Sequence, residues 1–197
     1  MLRTVTAMDS TAIIETLIRA IPAAGLESVQ SADGMPTIAV PLDQLVEVCL
    51  ALRDVPELRF AFLADLVPVD YLPREPRFEI SYLLASLGTG DYGETPKRLR
   101  VKVRVPGGSD TLVPSVSSVW PAAGWAEREA YDLFGIHFPG NADLRRILMP
   151  DDWEGFPLRK DYPVQIKQAV KTYEPLQVSQ EQFVANIEAT RDRARND

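Results

Sequence analysis

Cysteine and histidine are almost absent from this sequence. Its 197 residues include one cysteine, Cys49, and one histidine, His137. Zinc ribbons, cysteine-ligated iron–sulfur clusters and disulfide frameworks each need several such side chains, so we predict no metal site in this chain. Because Cys49 stands in an apolar helical pattern, we predict a buried, unreactive thiol in a protein of a reducing compartment.

Long apolar runs and an excess of positive charge are also missing. No stretch approaches the roughly 18 apolar residues of a transmembrane helix, and residues 1–10 lack the apolar core of a signal peptide. We therefore expect any membrane association to go through another protein. The 28 acidic and 21 basic residues give a net charge of -7, which repels phosphate backbones and makes nucleic acid an unexpected partner.

What is present is the composition of a globular protein, with 46% hydrophobic and 25% charged residues. Asp9 or Ser10 is placed to cap a first helix that ends at Pro22. Pro41 is placed to start a second helix that ends before Pro56. Its apolar positions are spaced for packing, and they are Leu42, Leu45, Val46, Cys49, Leu50 and Leu52.

Five extended runs accompany these helices. Two short runs cover residues 26–30 and 37–40, and three longer ones cover Phe60–Leu66, Phe78–Leu84 and Leu99–Val105. The order helix, two strands, helix, three strands predicts an α+β fold with helices on one face of a mostly antiparallel sheet. We assign this domain to residues 1–112.

Apolar and basic residues alternate along the whole of the last strand. Leu99, Val101, Val103 and Val105 fall on one face, and the other face carries Arg98, Arg100, Lys102 and Arg104. The basic face is expected to be either the solvated side of the sheet or a docking surface for an acidic partner.

Glycines at positions 88, 90 and 93 match the spacing of a dinucleotide-binding loop. That loop needs a helix after it, whereas Pro96 and an alternating strand follow here. We therefore predict a hairpin loop.

Beyond residue 112 the chain changes character. Residues 127–163 are rich in aromatic and charged side chains, and four prolines interrupt any long regular element. This composition predicts an extended, proline-punctuated C-terminal segment that lies over another protein. The carboxylates between Glu127 and Glu154 leave open a second interpretation, a free-standing enzyme that uses them as acid and base.

Three motifs in this segment are recognisable. They are WPAAGWAEREAYDLFGI at 120–136, DLRRIL at 143–148 and EGFPLRKDYP at 154–163. Together with the upstream pattern, over residues 10–165, they closely resemble the thirty-kilodalton C-subunit family of NADH-quinone oxidoreductase, respiratory complex I. Asn141-Ala142 and Phe156 replace histidine-containing positions that are common in that family, which indicates a structural role for the region.

The resemblance implies a protein of the hydrophilic arm without a catalytic centre, flavin, cluster or quinone site of its own. FMN, iron–sulfur clusters and quinone would belong to the assembled complex, which would transfer electrons from NADH to quinone. Residues 113–165 would wrap the quinone-site D subunit, near the cluster-bearing B and I subunits, on the cytoplasmic face of the inner membrane. The equivalent protein of a membrane-bound hydrogenase, or of a dehydrogenase using F420H2 or ferredoxin, remains an alternative.

On this basis we predict which residues form the partner interface. They are Glu127, Arg128, Glu129, Asp132, Phe134, Arg145, Arg146, Trp153, Arg159, Lys160 and Asp161. The charges would pair across the interface and the aromatic residues would be buried anchors. For any single charge, an ion pair within the chain is an equal alternative.

Residues 166–197 form a tail. Ser179 and Gln182 have the spacing of a capping box, which predicts a short helix with Phe183, Val184 and Ile187 on one side.

Overall fold

The structure, a computed structural model, describes residues 9–87, 96–108, 111–163 and 179–196. By packing it divides into two units, Met1–Tyr162 and Pro163–Asp197. The boundaries that we drew after residues 112 and 165 divide the chain by function and stay predictions. The glycine-rich loop lies outside the described residues.

The described elements follow the predicted order. They are α1 (Ser10–Ala20), β1 (Glu27–Ser28), β2 (Thr37–Ala39), α2 (Leu45–Asp54), β3 (Phe62–Asp70), β4 (Phe78–Ser86), β5 (Lys97–Val105), α3 (Ala123–Phe134) and α4 (Gln180–Asn196). The α+β prediction is confirmed. Strand β5, and not a helix, follows the glycine-rich loop, as the sequence context indicates.

The first helix begins as predicted, and the second begins later. Asp9 caps α1 by accepting a hydrogen bond from the backbone N–H of Ala12 at 2.9 Å. The predicted helix start at Pro41 is wrong, because a single 3₁₀ turn, Leu42–Gln44, precedes α2. Leu50 was also predicted to pack, but it is exposed because the helical rotation turns it away from buried Cys49 and Leu52.

Five strands form one sheet in the order β1-β2-β5-β4-β3. Among these five described strands, β2 and β5 pair in parallel and the other neighbouring strands pair antiparallel. The predicted inward face of β5 is confirmed, since its four alternating apolar residues are buried. They join one core cluster with residues of α1, α2 and α3, so these helices contribute to a core on one face of the sheet.

Strand β3 forms one edge of the sheet and extends further than the predicted Phe60–Leu66. A bulge at Ala64 shifts its register against β4, which lets both Leu63 and Leu66 face the core. Two features blunt its outer edge. Pro68 has no backbone N–H to offer, and the Asp65 carboxylate accepts a hydrogen bond from the N–H of Leu66 at 2.8 Å.

The segment after β5 packs on this core before it becomes irregular. Val113, Val116 and Val119 are buried in the core cluster. The indole N–H of Trp120 donates to the carbonyl oxygen of Phe60 at 3.0 Å. Between the end of α3 and residue 163 the described chain contains no further helix or strand beyond an isolated bridge at His137, in agreement with the predicted proline-punctuated segment.

The second unit contains α4. Its capping box is confirmed, because the N–H of Gln182 donates to the Ser179 hydroxyl at 3.2 Å and the N–H of Ser179 donates to the Gln182 side-chain oxygen at 3.3 Å. Among the helices that the structure describes, none is both long enough and apolar enough to cross a membrane.

Cys49 provides a chemical test of this packing. Its side chain is fully buried on α2, and burial raises the pKa of its thiol. We expect a thiol reagent such as Ellman's reagent to leave Cys49 unmodified in the folded chain and to modify it completely after unfolding in guanidinium. The matched control is Leu50→Cys, which places one added thiol at the neighbouring exposed position. Native Cys49 reacting as fast as that added thiol would contradict the described packing.

Candidate functional site

Helix α3 is the centre of the motif-bearing segment. It begins at Ala123 and ends at Gly135, whose φ of 70° is a left-handed conformation suited to glycine. The ring of Phe156 packs against Gly135 where a Cβ atom would stand, so any larger residue would be both strained and crowded. The chain therefore folds back onto the C-terminal end of α3.

The carboxylate of Asp132 is fully buried on α3 and organises the loop that follows. Its Oδ2 atom accepts hydrogen bonds from three successive backbone N–H groups, at 3.0 Å from Ile147, 2.7 Å from Leu148 and 2.8 Å from Met149. Its Oδ1 atom accepts from the guanidinium of Arg146 at 2.7 Å. One side chain thus fixes the backbone of residues 145–149, which we call the 145–149 loop.

These contacts decide the charge state of Asp132. Burial by itself raises the pKa of this carboxyl, but the hydrogen bonds from Met149, Arg146, Ile147 and Leu148 outweigh burial and lower the pKa to about 2. Asp132 is therefore ionised at neutral pH, with every strong acceptor site engaged inside the chain.

Two arginines add hydrogen bonds to carbonyl groups in and beside this loop. Arg128 donates to the carbonyl oxygens of Arg145 and Arg146, at 3.2 and 3.0 Å. Arg146 in turn donates to the carbonyl oxygens of Trp153 and Gly155, at 2.9 and 3.1 Å. Arg128 and Asp132 lie one helical turn apart, so α3 presents a cation and an anion to the loop side by side.

Glu127 is the second buried carboxylate of α3, and its environment is different. It accepts hydrogen bonds from the hydroxyl of Ser115, the N–H of Val116 and the amide of Asn141, at 2.7, 2.8 and 2.9 Å. Burial raises its pKa, and these hydrogen bonds offset only part of the effect. Glu127 therefore ties the chain before α3 to the chain after it, and it forms no ion pair with an arginine or lysine among the described residues.

Asn141 and Phe156, at the two departures from the family pattern, both contact other parts of this chain. Asn141 donates to Glu127 and also to the carbonyl oxygen of Gly124 at 3.2 Å. Phe156 lies under the guanidinium groups of Arg146 and Arg159, at 5.6 and 5.1 Å from its ring centre.

An ionic clamp ties the end of the segment to the sheet. The guanidinium of Arg77 donates twice to Asp70, at 3.0 and 2.7 Å, and twice to Asp161, at 3.0 and 2.8 Å. The N–H of Lys160 also donates to Asp70 at 2.9 Å. Burial raises the pKa of Asp70, but the hydrogen bonds from Arg77, Leu72 and Lys160 prevail and lower it to about 2. The clamp joins residues that are 84 and 90 positions apart in sequence.

The structure sorts the predicted interface residues into two groups. Glu127, Arg128, Asp132 and Phe134 are buried, while Arg146, Arg159 and Asp161 have partners within the chain. These residues have contacts within the chain, and their place in a partner interface stays a prediction. Glu129, Arg145 and Lys160 are exposed, although Arg145 also pairs with Asp143 at 2.9 Å, and Trp153 is half-buried. Whether any of them contacts a partner stays a prediction.

Sequence reasoning missed several residues of this site. Arg77 and Ser115 carry no local signal, because each bonds to a carboxylate that only the fold brings near. Ile147 and Leu148 lie inside the DLRRIL motif. Their side chains are exposed because of the backbone hydrogen bonds to Asp132, which the sequence alone does not reveal. In the part of the chain that the structure describes, no group of three or more histidine, cysteine or carboxylate side chains could hold a metal ion.

The buried charges of the segment hold backbone of this chain in place. Comparison with known proteins shows the family of the chain. The model of the family "Respiratory-chain NADH dehydrogenase, 30 Kd subunit" matches residues 38–168. The chain belongs to this family, and the expectation that it is a subunit of the complex I oxidoreductase is confirmed.

Curated relatives carry the same description. The NADH-quinone oxidoreductase C subunit of Roseiflexus sp. (strain RS-1) is 43% identical over 167 residues, which covers 85% of this chain and 91% of the relative. The C 2 subunit of the same oxidoreductase from Rhizobium etli (strain CIAT 652) is 45% identical over 139 residues, covering 71% of this chain and 70% of the relative. A solved trypsin-resistant fragment of Nqo5 is 33% identical with a TM-score of 0.52, covering 67% of this chain and 99% of the fragment.

The two buried carboxylates of α3 should respond differently to loss of charge. We expect Asp132→Asn to lower the free energy of unfolding by about 3 kcal/mol, because it breaks a buried ion pair and weakens three backbone hydrogen bonds. Glu127→Gln should stay within about 1 kcal/mol of the unaltered chain, since burial already disfavours the charge of Glu127. Urea unfolding measures both, with exposed Asp143→Asn as the control. Equal losses for the two variants would contradict the assignment.

Acid should weaken the chain in a defined pH window. Folding lowers the pKa of Asp132 from 3.8 to about 2, so its contribution is complete above pH 4 and is lost as the pH falls toward 2. This amounts to about 2 kcal/mol for Asp132. Protonation of Glu127 has the opposite effect on the free energy of unfolding. Because folding raises the pKa of this carboxyl, its protonation at lower pH stabilises the folded state.

We therefore expect the stability gap between the unaltered chain and Asp132→Asn to narrow between pH 4 and pH 2. Urea unfolding at pH 4, 3 and 2 measures this gap. A gap that stays constant across these pH values would show that the Asp132 carboxylate is not the group responsible.

Proposed function

We propose that this chain is a structural subunit, without a redox centre of its own, in the peripheral arm of a proton-translocating NADH-quinone oxidoreductase. The family match over residues 38–168 and the relatives' printed names support this proposal. In the complex, electrons would pass from NADH through FMN and iron–sulfur clusters to quinone. We propose that other subunits hold all of these groups. For the iron–sulfur clusters the reason is chemical, because the one cysteine of this chain is buried in its own core.

One structural observation supports the proposal beyond the family match, and it concerns the surface of the 145–149 loop. Hydrogen bonds of Asp132, Arg128 and Arg146 hold the backbone of the 145–149 loop in place. The side chains of Ile147 and Leu148 are nevertheless exposed. Leu148 is 56% exposed. An apolar surface that is rigid before binding loses little conformational entropy when a partner covers it. Such a surface is well suited to a permanent contact between subunits.

Aromatic and cationic groups are close to this loop. Trp125 is exposed on α3, and its ring lies 4.9 Å from the guanidinium carbon of Arg128, which itself bonds to the loop. Arg145 is exposed on the loop. Tryptophan and arginine are enriched among the residues that dominate binding energy in protein interfaces.

We propose the quinone-site D subunit as the main partner of residues 113–165, with the cluster-bearing B and I subunits nearby. In this arrangement the buried residues of the segment shape it, and Glu129, Arg145, Leu148 and Lys160 contact the partner. The chain would lie peripherally on the cytoplasmic face of the inner membrane, held there through the complex.

Affinity purification of the tagged chain from membranes in mild detergent tests this function. We expect flavin-bearing and cluster-bearing subunits to co-purify with inhibitor-sensitive NADH-to-quinone activity. Parallel assays with F420H2, reduced ferredoxin and hydrogen distinguish a related complex that uses another donor. A chain that purifies alone would contradict the proposal.

A matched pair of variants tests the loop. We expect Leu148→Gln to weaken association with the co-purifying subunits about tenfold, because a polar group replaces a central apolar anchor while the backbone N–H to Asp132 is kept. Ile18→Gln on α1 is the control, since Ile18 is 41% exposed but lies outside the segment. Quantitative mass spectrometry of the purified material measures the effect, with urea unfolding to verify equal stability. Equal recovery of partners with both variants would remove the loop from the interface.

A further inference from the structure

The face of the sheet turned away from the core carries a second surface. Strand register places its residues in four rows across β3, β4 and β5. From one end to the other the rows are Val69-Glu79-Arg104, Val67-Ser81-Lys102, Asp65-Leu83-Arg100 and Phe62-Ala85-Arg98. We call these twelve residues the outer face. Neighbouring strands lie about 4.8 Å apart, so each row crosses roughly 10 Å of surface.

One side of the outer face is apolar and open. Phe62 is 50% exposed on edge strand β3, and Val67 and Val69 on the same strand are also exposed. Leu83 and Ala85 extend this apolar surface onto β4. Large apolar side chains grouped on one face, rather than scattered singly, are typical of a surface that another molecule covers.

The other side of the outer face is basic. Two of its four cations have close partners, because Lys102 binds Glu79 at 2.7 Å and Arg100 binds Asp33 at 2.7 Å. Arg104 is 62% exposed and reaches only to 4.0 Å from the same Glu79. Arg98 is exposed and has no ion pair with any described residue.

The charges of the face therefore do not balance. Among the described residues, the four cations have three carboxylates near them. Asp33 and Glu79 form the close ion pairs, and Asp65 remains an anion while it accepts the N–H of Leu66, which leaves an excess of one positive charge. This cationic excess stands out in a chain with a net charge of -7. The expectation that this basic face is merely solvated does not account for the apolar strand beside it.

We propose that the outer face docks a protein element of another subunit, one that presents apolar side chains bordered by aspartate or glutamate. The apolar part would cover β3 and β4, and the carboxylates would pair with Arg98 and Arg104. An anionic lipid surface is less well matched, because membrane-binding patches use clusters of about four to eight free basic residues. This inference rests on the proposed function, since it requires a neighbouring protein of the complex, but it concerns a surface separate from the 145–149 loop.

Site-specific photo-crosslinking in the purified complex tests the inference. A benzophenone amino acid replaces Val67 in one preparation and Leu50 of α2 in the other, because both side chains are 38% exposed. We expect the probe at Val67 to cross-link to a peptide of a co-purifying subunit in which apolar residues adjoin a carboxylate. The probe at Leu50 should give several-fold less of that product.

Charge variants test the second half of the inference. Arg104→Gln should lower the Val67 cross-link yield about two- to fivefold, the effect of losing one solvent-accessible ion pair. Arg74→Gln, at an exposed arginine outside the outer face, should leave the yield unchanged. A yield that responds equally to both variants would contradict charge complementarity.

Each remaining outcome overturns the inference. Subunits that co-purify without a Val67 cross-link above the Leu50 level would leave the proposed function intact and reject the docking surface. Cross-linking to lipid, or between two copies of this chain, would reject the stated partner. A chain that purifies with no other subunit would reject both the inference and the proposed function.

Discussion

The packing of the motif-bearing segment depends on one buried carboxylate. Asp132 gathers three consecutive backbone N–H groups on one oxygen and a guanidinium on the other. In a loop without helix or strand, the backbone N–H groups still need hydrogen-bond acceptors. Here a single side chain accepts from three of them. The ionic groups of the motif are thus used to build a surface, which explains how so charged a segment can be well packed.

The Arg77 clamp extends this principle across the whole first unit. Asp70 ends β3, Arg77 precedes β4 and Asp161 lies near the end of the segment, so one guanidinium connects three distant parts of the chain. Together with the buried Glu127, it makes the segment part of the same packed body as the sheet. Forces applied to the segment by a neighbouring protein would therefore be carried directly into the α+β core.

Local patterns predicted the fold better than they predicted the site. The alternation of β5, the cap at Asp9 and the capping box at Ser179 each depend on residues near in sequence, and the structure confirms them. The partners of Asp132 and Arg77 lie 7 to 84 residues away along the chain, and a single sequence has no periodic signal for such contacts. The motif located the important segment, but only geometry separates its buried charges from its exposed side chains.

The blunted edge of β3 affects how readily the chain can aggregate before it joins a complex. An open strand edge is where folded proteins most readily join into aggregates, and this edge lies beside an exposed apolar face. Pro68 and the capped N–H of Leu66 remove two of the donors that an incoming strand would need. A newly made chain thus has an exposed apolar face, but the strand edge beside it offers fewer free backbone N–H groups to an incoming strand.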